Sequence, residues 1–302
     1  MLTIVVPIYN EEEAIPDVIP GLINFTKNHQ WQVILVNDGS TDRTPQLLRI
    51  FENEENVTII NHKVNRGYGG ALKTGLSHVK TPFAITIDGD GQHNLQDVES
   101  LFEFAVEKDA DLVVGWRKSK QNSGFYRELG KAFIRQFTKF LMPLGIHDLN
   151  SGMKLYRTEL AQKYIHICPN SMAFSDVITL VFISQRHLVL EFPITIKPRK
   201  AGRSTISTST ALETLLEILN IVLMFNPLRI FLPLSLLFIG FSLIWGIPLL
   251  IAGRGVSVGT LLLLITGVLL FGLGLIANQL SDLRISLLSM IINQKGSTEK
   301  EE

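Results

Sequence analysis

The stretch FAITIDGDGQH, residues 83–93, joins a short apolar, β-branched run to an abrupt cluster of aspartates, glycines and polar side chains. The same pattern occurs twice earlier, in TIVVPIYNEE at 3–12 and in VILVNDGS at 33–40. Further apolar runs and the helix-length segments that separate them complete the series, the runs at 57–60 and 111–115 and the segments at 11–28, 43–54, 69–79 and 95–107. Near-continuous apolar strands that alternate with helices are typical of a mostly parallel sheet covered on both faces. The sequence therefore predicts an α/β domain.

Acidic side chains follow three of the predicted strands at the point where each strand ends. Ligands of parallel α/β sheets bind at the carboxyl ends of the strands, so Glu11, Asp38, Asp88 and Asp90 are expected at one edge of the sheet. Carboxylates packed together raise one another's pKa unless cations or hydrogen-bond donors neutralise them. The pattern Asp88-x-Asp90 offers oxygen ligands, and a hard divalent ion takes one or two carboxylates plus substrate phosphates. The sequence therefore predicts a site for Mg²⁺ or Mn²⁺ at this edge.

The C-terminal third of the chain is strongly apolar. The 302 residues are 46% hydrophobic with a mean hydropathy of +0.25, and two stretches, Ile230–Ala252 and Gly255–Ser281, contain no charged residue. A bilayer core of about 30 Å needs roughly 20 helical residues. We therefore predict transmembrane helices at 229–253 and 256–281; two buried helices of a large soluble core are the alternative.

Charged residues around these stretches predict their orientation. Only Arg254 lies between them, whereas basic residues flank the pair on its outer sides, namely Lys197, Arg199, Lys200, Arg203 and Arg229 before it and Arg284 and Lys295 after it. Because basic loops stay on the cytoplasmic side, we predict an external Arg254, a cytoplasmic domain at 1–207 and a cytoplasmic tail at 282–302. Residues 208–228 combine leucines with a polar stripe, which indicates an amphipathic helix in the membrane interface. A core helix of the first domain is the alternative.

Composition and cysteine content exclude several classes of protein. Lys plus Arg and Asp plus Glu both number 28, which argues against a protein that mainly binds nucleic acid. The lone Cys168 excludes an intramolecular disulfide and a multi-cysteine zinc site. The glycines of NRGYGG (65–70) do not follow a first strand and lack GxGxxG spacing, so a dinucleotide-binding dehydrogenase is not predicted. The first fifteen residues carry no basic segment, and we expect no signal peptide and a cytoplasmic N-terminus.

Four motifs, in this order, resemble the family 2 glycosyltransferases with the GT-A fold: VVPIYNEEEAI (5–15), ILVNDGSTDRT (34–44), NRGYGGALKTG (65–75) and ITIDGDGQH (85–93). Other segments are similar to the polyprenyl-phosphate glycosyltransferases, a group that includes dolichyl-phosphate mannose synthase and bacterial undecaprenyl-phosphate glucosyltransferases: NSGMKLYR (150–157), KPRKAGRSTIS (197–207), FNPLR (225–229) and ANQLSDLR (277–284). The resemblance covers nearly the whole chain. It implies a Rossmann-like GT-A catalytic domain followed by membrane helices.

The resemblance also implies residues on the donor side of the site. Positions that hold the nucleobase and ribose of a nucleotide-sugar match Pro7, Tyr9, Glu11 and Asp38. Asp88 matches a position beside the ribose and the metal, and Asp90 with Gln92 would ligate the metal that bridges the diphosphate. Such a metal offsets the charge that builds on the leaving nucleoside diphosphate. Turn chemistry is the alternative for Pro7 and Tyr9, and a place at a helix N-terminus is the alternative for Gln92.

The proposed lipid-phosphate acceptor implies further site residues. Inverting transfer to a hydroxyl needs a general base, but the usual acidic pair is not clearly spelled here, and a phosphate monoester with a second pKa of about 6 is already mostly a dianion. Asp148 and Asp176 therefore join Asp90 in the catalytic set as candidate orienting groups, against a purely structural role. A dianion needs cations, and guanidinium groups bind phosphate bidentately. The candidates are Arg117, Arg127, Arg199, Arg203 and Ser204; contact with anionic headgroups is the alternative.

The leading hypothesis is an inverting, metal-dependent hexosyltransferase that moves one hexose from UDP-glucose or GDP-mannose to undecaprenyl or dolichyl phosphate at the cytoplasmic membrane face. A processive polysaccharide synthase of the same superfamily is an alternative, although Gln185-Arg186 lacks the rest of the QxxRW motif. A non-catalytic, membrane-anchored nucleotide-sugar-binding protein is another. The expected partners are the donor, the lipid acceptor and the membrane. Sugar identity, lipid length and homo-oligomerisation are left open.

Overall fold

The computed structural model of the chain describes residues 1–117, 146–196, 223 and 226–298, with side chains to residue 283. These residues form two compact units, the first within 1–117 and 146–196 and the second from residue 226 onward. Apart from residues 223 and 226–228, the predicted interfacial helix lies outside the described residues, as does the predicted domain boundary at 207.

The first unit is built on one seven-stranded sheet. Its strands are β1 (Leu2–Ile8), β2 (Gln32–Asn37), β3 (Val57–Asn61), β4 (Phe83–Thr86), β5 (Leu112–Arg117), β6 (Lys154–Arg157) and β7 (Val189–Ile194). They lie in the order β3-β2-β1-β4-β6-β5-β7. All neighbouring pairs are parallel except those of β6, which runs antiparallel to β4 and β5. The predicted mostly parallel α/β sheet is confirmed.

Helices cover the sheet on both sides. They are α1 (Ile15–Asn28), α2 (Thr44–Leu48), α3 (Tyr68–Ser77), α4 (Leu95–Glu107), α5 (Thr158–Tyr164) and α6 (Phe174–Ser184). Helix α1 begins at Ile15 rather than at the predicted residue 11. Pro16 occupies its first turn, a position where its missing N–H costs nothing, and the backbone N–H of Glu12 before it donates to Asp42.

Alternate residues of the central strands pack against different helices. Ile4 and Val6 belong to a buried cluster with Ile19 of α1 and Leu101 of α4. Val5 points the other way, toward α3, where a β-carbon on Gly75 would lie 2.3 Å from Val5 Cγ1. A glycine is therefore required for the close approach of α3 to the sheet. Burial on both faces explains why the strands are apolar along their whole length.

The second unit is a pair of helices, α7 (Leu228–Ile251) and α8 (Val258–Thr298). Leu228–Ile251 and Val258–Leu283 are long and apolar enough to cross a membrane, judged by length and composition. Both agree closely with the predicted spans, and α8 continues through much of the predicted tail. The turn between them contains Gly253 and Gly255 at positive φ, which glycine adopts without the steric cost of a side chain.

Small and hydroxylated residues line the contact between these two helices. Ser235 Oγ donates to the Gly267 carbonyl at 2.8 Å, and Ser242 Oγ donates to the Thr260 carbonyl at 2.7 Å. A β-carbon on Gly267 would lie 2.6 Å from Ile239 Cγ1, so the backbones approach too closely for any side chain there. Close packing of small residues with interhelical hydrogen bonds is typical of membrane helix pairs.

Candidate functional site

The turns that follow β1, β2 and β4 meet at one edge of the first unit. These strands are neighbours and parallel, so their carboxyl ends lie side by side. The backbone N–H of Asp38 donates to the Ile8 carbonyl at 2.8 Å, and a β-carbon on Gly89 would lie 3.2 Å from the Pro7 carbonyl. The predicted convergence of the acidic strand ends is therefore present in the backbone.

The turn after β1 is locked to the turn after β2 by side-chain hydrogen bonds. Asn10 has a positive φ of 52°, its N–H donates to Ser40 Oγ at 3.0 Å, and its Oδ1 accepts from the N–H of Thr41 at 2.9 Å. Glu11 donates its backbone N–H to Thr44 Oγ1 at 3.0 Å. The neighbouring Tyr9 side chain is 45% exposed and is free of the core, while Pro7 lies inside β1 and pairs with Val36.

Asp38 is buried and held by groups from the segments that follow β3. Its Oδ1 contacts His62 Nδ1 at 2.6 Å and accepts the N–H of Arg66 at 2.9 Å. His62 Nε2 hydrogen-bonds the Thr74 hydroxyl at 2.9 Å, which fixes the ring on α3. Sequence reasoning missed His62. The register pairs Asn37 with Asn61. Asp38 and His62 are the next residues along these adjacent parallel strands, so their side chains lie next to each other.

Asp88 is the centre of the edge. Its Oδ1 accepts from the Tyr68 hydroxyl at 3.0 Å, and its Oδ2 contacts His93 Nε2 at 3.3 Å. Burial opposes the charge, but His93, Tyr68 and the positive charge of Arg117 outweigh it, and the pKa of Asp88 lies below its usual range. Burial and the charge of Asp88 raise the pKa of Tyr68, so the phenol stays a donor. Asp88 is therefore ionised at neutral pH, and 38% of its side chain is exposed.

Asp90 and Gln92 lie in the tight turn between β4 and α4. Asp90 is buried, and its Oδ1 accepts the backbone N–H of Gln92 at 3.1 Å. Gly91 between them has a φ of 75°, which a side chain would strain. The turn thus presents two aspartates two residues apart on a rigid backbone.

This donor set suits a hard divalent ion shared with a substrate. No group of three or more His, Cys, Asp or Glu side chains that could hold a metal alone occurs among the described residues. Mg²⁺ characteristically binds through one or two carboxylates and completes its shell with water and substrate phosphates. Asp88, which is partly exposed and has a lowered pKa, fits that requirement together with Asp90. They would hold the ion jointly with a diphosphate.

Arg117 and Asp148 form a forked ion pair at the carboxyl end of β5. Arg117 Nε and Nη2 donate to the two carboxylate oxygens of Asp148 at 2.6 and 2.8 Å, and Nη2 also donates to the Asn150 carbonyl at 3.3 Å. The hydrogen bond to Asp148 is the main cause that raises the pKa of Arg117. Asp148 therefore orients Arg117, which in turn acts electrostatically on Asp88. Asp176, the other proposed orienting group, belongs to a different element and lies in the first turn of α6.

The glycines of NRGYGG serve backbone packing. A β-carbon on Gly67 would lie 2.5 Å from the Asn170 carbonyl oxygen, and one on Gly69 would lie 2.4 Å from that of Pro169. The N–H of Gly70 donates to the Asn170 carbonyl at 3.2 Å. The backbone at residues 169–171 therefore packs closely against the start of α3, and Tyr68 of that helix lies beside Asp88. Gly67 and Gly69 therefore allow close backbone packing at the start of α3.

The remaining predicted acceptor residues cannot be placed on this geometry. Arg127, Arg199, Arg203 and Ser204 lie outside the described residues, so their assignment stays a prediction. Arg117 alone among the predicted cations is described, and it lies at the edge that carries Asp88. Gly152, Lys154, Tyr68 and His93 also lie at this edge, and no local pattern marks any of them as a site residue.

A mostly parallel sheet with acidic turns at the carboxyl ends of β1, β2 and β4 defines a glycosyltransferase domain of the GT-A type. Residues 3–165 match Glycosyl transferase family 2, and the chain belongs to this family. Residues 226–283 match a second family, described as the GtrB C-terminal hairpin. The match coincides with α7 and the first part of α8.

One curated relative is the dodecaprenyl-phosphate galacturonate synthase of Rhizobium johnstonii, which is 26% identical over 228 residues. The alignment covers 73% of this chain and 66% of the relative, so this chain spans slightly under two thirds of the relative's length.

Solved structures show the same fold. Glucosyl-3-phosphoglycerate synthase from Mycobacterium tuberculosis, in complex with phosphoglyceric acid, superposes with a TM-score of 0.55 at 16% identity, covering 74% of this chain and 80% of that one. S. aureus TarS 1-349 in complex with UDP superposes with a TM-score of 0.50 at 18% identity, covering 75% and 65%. At these identities the similarity is evidence for the fold alone.

Proposed function

We propose that this protein transfers one hexose from a nucleotide-sugar to a polyprenyl phosphate, with inversion at the anomeric carbon, on the cytoplasmic face of a membrane. UDP-glucose and GDP-mannose are the proposed donors, and Mg²⁺ or Mn²⁺ is the proposed cofactor. The proposal refines the family assignment by naming the class of acceptor, the class of donor and the side of the membrane.

One observation carries the proposal. A family 2 catalytic unit with an ionised Asp88 at its strand edge is joined in one chain to two helices that are apolar enough to cross a membrane and that match the GtrB C-terminal hairpin. An enzyme that is held at the bilayer surface has direct access to a lipid-borne acceptor. The curated relative is named for a dodecaprenyl-phosphate product, which supports an acceptor of this chemical class.

The transfer is a single displacement. An oxygen of the acceptor phosphate attacks the anomeric carbon, the bond from that carbon to the diphosphate oxygen breaks, and the nucleoside diphosphate leaves with the electron pair. Because the attacking phosphate is already largely a dianion near neutral pH, no side chain has to remove a proton from it. The residues of the site therefore bind and orient two anionic substrates instead of acting as a general base.

Asp88 and Asp90 are proposed to hold a divalent ion, which offsets charge on the departing diphosphate when it is bound. Tyr68 and His93 keep the Asp88 carboxylate in one orientation, and Gln92 fixes Asp90 through its backbone N–H. A structure of the M. tuberculosis synthase contains Mn²⁺ and UDP-glucose, so a GT-A fold can accommodate both. Asp38 on the neighbouring strand is proposed to bind the nucleobase.

The acceptor phosphate is proposed to bind Arg117, with Arg127, Arg199, Arg203 and Ser204 completing its cationic surroundings. Asp148 holds Arg117 through two hydrogen bonds and is proposed to orient it without touching the substrate. Asp176 stays a proposed orienting group. For topology, two spans return the chain to its starting side, so both termini are proposed to be cytoplasmic and Arg254 external.

The test is product formation by the purified full-length protein in detergent. Labelled UDP-glucose, GDP-mannose and UDP-galacturonate are each incubated with undecaprenyl phosphate and Mn²⁺, and the lipid is extracted and analysed by mass. We expect a lipid that carries one sugar with one of the donors, and no product in the presence of a chelator. A polymer would instead support a processive synthase, and an absence of product with every donor would contradict the proposal and favour a binding protein.

A further inference from the structure

Lys154, the first residue of β6, is a fully buried lysine beneath the site, with 0% of its surface exposed. Its Nζ donates to the carbonyl of Leu149 at 2.5 Å and to the carbonyl of Ser175. Lysine is almost never fully buried without paired partners, because removing an ammonium from water costs much free energy. A fully buried lysine at this position therefore needs a physical explanation other than packing.

Two series of contacts connect Lys154 with Asp88, and the first runs through α6. The carbonyl that accepts from Lys154 belongs to Ser175, whose side chain lies close enough to the Tyr68 hydroxyl to lower the pKa of that phenol, against the raising effect of burial. That hydroxyl donates to Asp88 Oδ1 at 3.0 Å. Lys154 therefore fixes the start of α6 at the point where Ser175 comes close to the Tyr68 hydroxyl.

The second series runs through residues 148–152, which we call the 148–152 segment. Lys154 holds this segment at the Leu149 carbonyl, and Thr86 Oγ1 holds it by donating to the Gly152 carbonyl at 2.8 Å. The α-carbon of Gly152 lies so close to Asp88 that an added β-carbon would be 2.3 Å from Asp88 Oδ2. The backbone of this segment at Gly152 therefore packs directly against the Asp88 carboxylate.

We propose that Lys154 is a positioning residue of the donor site, which sets the place of the Asp88 carboxylate through Ser175 and Tyr68 on one side and through the 148–152 segment on the other. The inference rests on the proposed function, in which Asp88 binds the ion and the donor. It assigns no contact between Lys154 and the substrate. It predicts that loss of the ammonium weakens nucleotide binding and impairs donor use.

The electrostatic surroundings give Lys154 a property that can be measured. Burial lowers its pKa to about 8, against the opposing influence of Asp176 on α6 and Asp148 on the segment. The other charged or titratable groups that face it are Cys168 and Arg117. Deprotonation near pH 8 leaves two N–H donors for the two carbonyls but removes the positive charge that strengthens both hydrogen bonds. Donor use by the wild type is therefore expected to fall as pH rises through about 8.

Stability has the opposite dependence on pH, which separates positioning from folding. The folded pKa of Lys154 is below its ordinary value of 10.5, so the unfolded chain binds more protons than the folded chain between about pH 8 and 10.5. The contribution of this group to the free energy of unfolding therefore rises with pH in that range. Deprotonation of Lys154 therefore increases the stability of the folded chain in this range. A loss of activity near pH 8 would not be explained by an effect of Lys154 on unfolding.

The experiment compares Lys154→Met, which keeps side-chain length but removes the ammonium, with Thr26→Val as a control for lost stability. Thr26 is buried in α1, where it hydrogen-bonds Leu22, Ile23 and Asn56. Binding of UDP and of GDP in the presence of Mn²⁺ is measured by calorimetry, and transfer is measured with the active donor. For Lys154→Met we expect nucleotide binding that is about tenfold weaker and kcat/KM for the donor that is about a hundredfold lower. The alkaline decline should disappear.

Donor binding and turnover by Lys154→Met that match Thr26→Val at equal thermal stability would overturn the inference. If the methionine variant does not fold, Lys154→Arg is compared with Thr26→Val instead, because arginine keeps the positive charge but changes the geometry of both carbonyl contacts. Weaker nucleotide binding at equal thermal stability then supports the inference, and unchanged binding contradicts it. A wild type that makes no glycosylated lipid refutes the proposed function, and the nucleotide-binding comparison still decides the role of Lys154.

Discussion

Replacing Gly152 by alanine displaces Asp88 without altering any group that is proposed to bind substrate. A β-carbon at this position would lie 2.3 Å from Asp88 Oδ2 and 2.7 Å from its Cγ. Ordinary van der Waals contact begins near 3.4 Å, so the two groups have to separate by about 1.1 Å. Lys154 and Thr86 hold the 148–152 segment in place, and we therefore expect the Asp88 carboxylate to move. The backbone of Gly152 needs no positive φ, and the steric effect is therefore the whole perturbation.

The expected cost follows from this displacement. Asp88 is held by Tyr68 and His93 through one oxygen each, and a shift of about 1 Å lengthens at least one of these contacts beyond hydrogen-bonding distance. Misplacement of a site group by about 1 Å costs on the order of a hundredfold in rate. This corresponds to about 2.7 kcal/mol of transition-state stabilisation. We expect kcat/KM for the nucleotide-sugar to fall by this factor.

The assay is lipid-linked sugar formation at varied donor concentration, with thermal unfolding measured on the same preparations. Gly21→Ala is the matched control, because Gly21 lies in α1 and an added β-carbon there meets nothing within 4 Å. Alanine in a helix interior is favoured over glycine by roughly 0.5–1 kcal/mol, so this control should be fully active and slightly more stable. A Gly152→Ala enzyme that retains more than a third of wild-type kcat/KM would refute the placement of Asp88 at the centre of the donor site.

Three further outcomes are expected. Asp90→Ala should abolish transfer while its thermal midpoint stays close to wild type, and excess chelator should do the same to the wild type; full activity in either case contradicts the metal role. Gly267→Leu should lower the stability of the helix pair by about 1–3 kcal/mol through overpacking, whereas Gly240→Leu, whose β-carbon meets nothing within 4 Å, should not; equal unfolding midpoints in detergent would count against the packing. Arg254→Cys should react with a membrane-impermeant thiol reagent in intact cells, and protection of that thiol would reverse the proposed topology. Native Cys168 is buried and its pKa is raised to about 12, so it should not compete for the reagent.

The strand ends were predictable because their chemistry is local. An apolar run followed at once by Asp38 or Asp88 indicates both a buried strand and the polar edge where it stops, and parallel order brings such edges together. The same logic explains the spans, since two charge-free stretches of sufficient length need no tertiary information. Local patterns therefore sufficed for the sheet, the acidic edge and the two apolar helices.

The supports of the acidic edge were not predictable, because each depends on a contact between distant parts of the chain. Gly152 is one glycine among 23, and only its distance to Asp88 shows why no side chain fits there. His62 carried no motif, and its contact with Asp38 depends on the register of β2 against β3. The glycines before α3 were interpreted by spacing alone, whereas their function depends on the backbone at Pro169 and Asn170.

Charge balance connects these supports to the proposed reaction. The chain has no net charge, yet its site combines the carboxylates of Asp88 and Asp148 with the cations of Arg117 and Lys154. A site for two phosphate-bearing substrates has to stay attractive to anions while presenting acidic ligands to a divalent ion. Arg117 does this at the surface, where Asp148 holds its guanidinium in one orientation, whereas the buried Lys154 acts by holding the Leu149 carbonyl. Two cations therefore hold the 148–152 segment, Arg117 at Asp148 and Asn150 and Lys154 at Leu149, and the Gly152 backbone of this segment packs against Asp88.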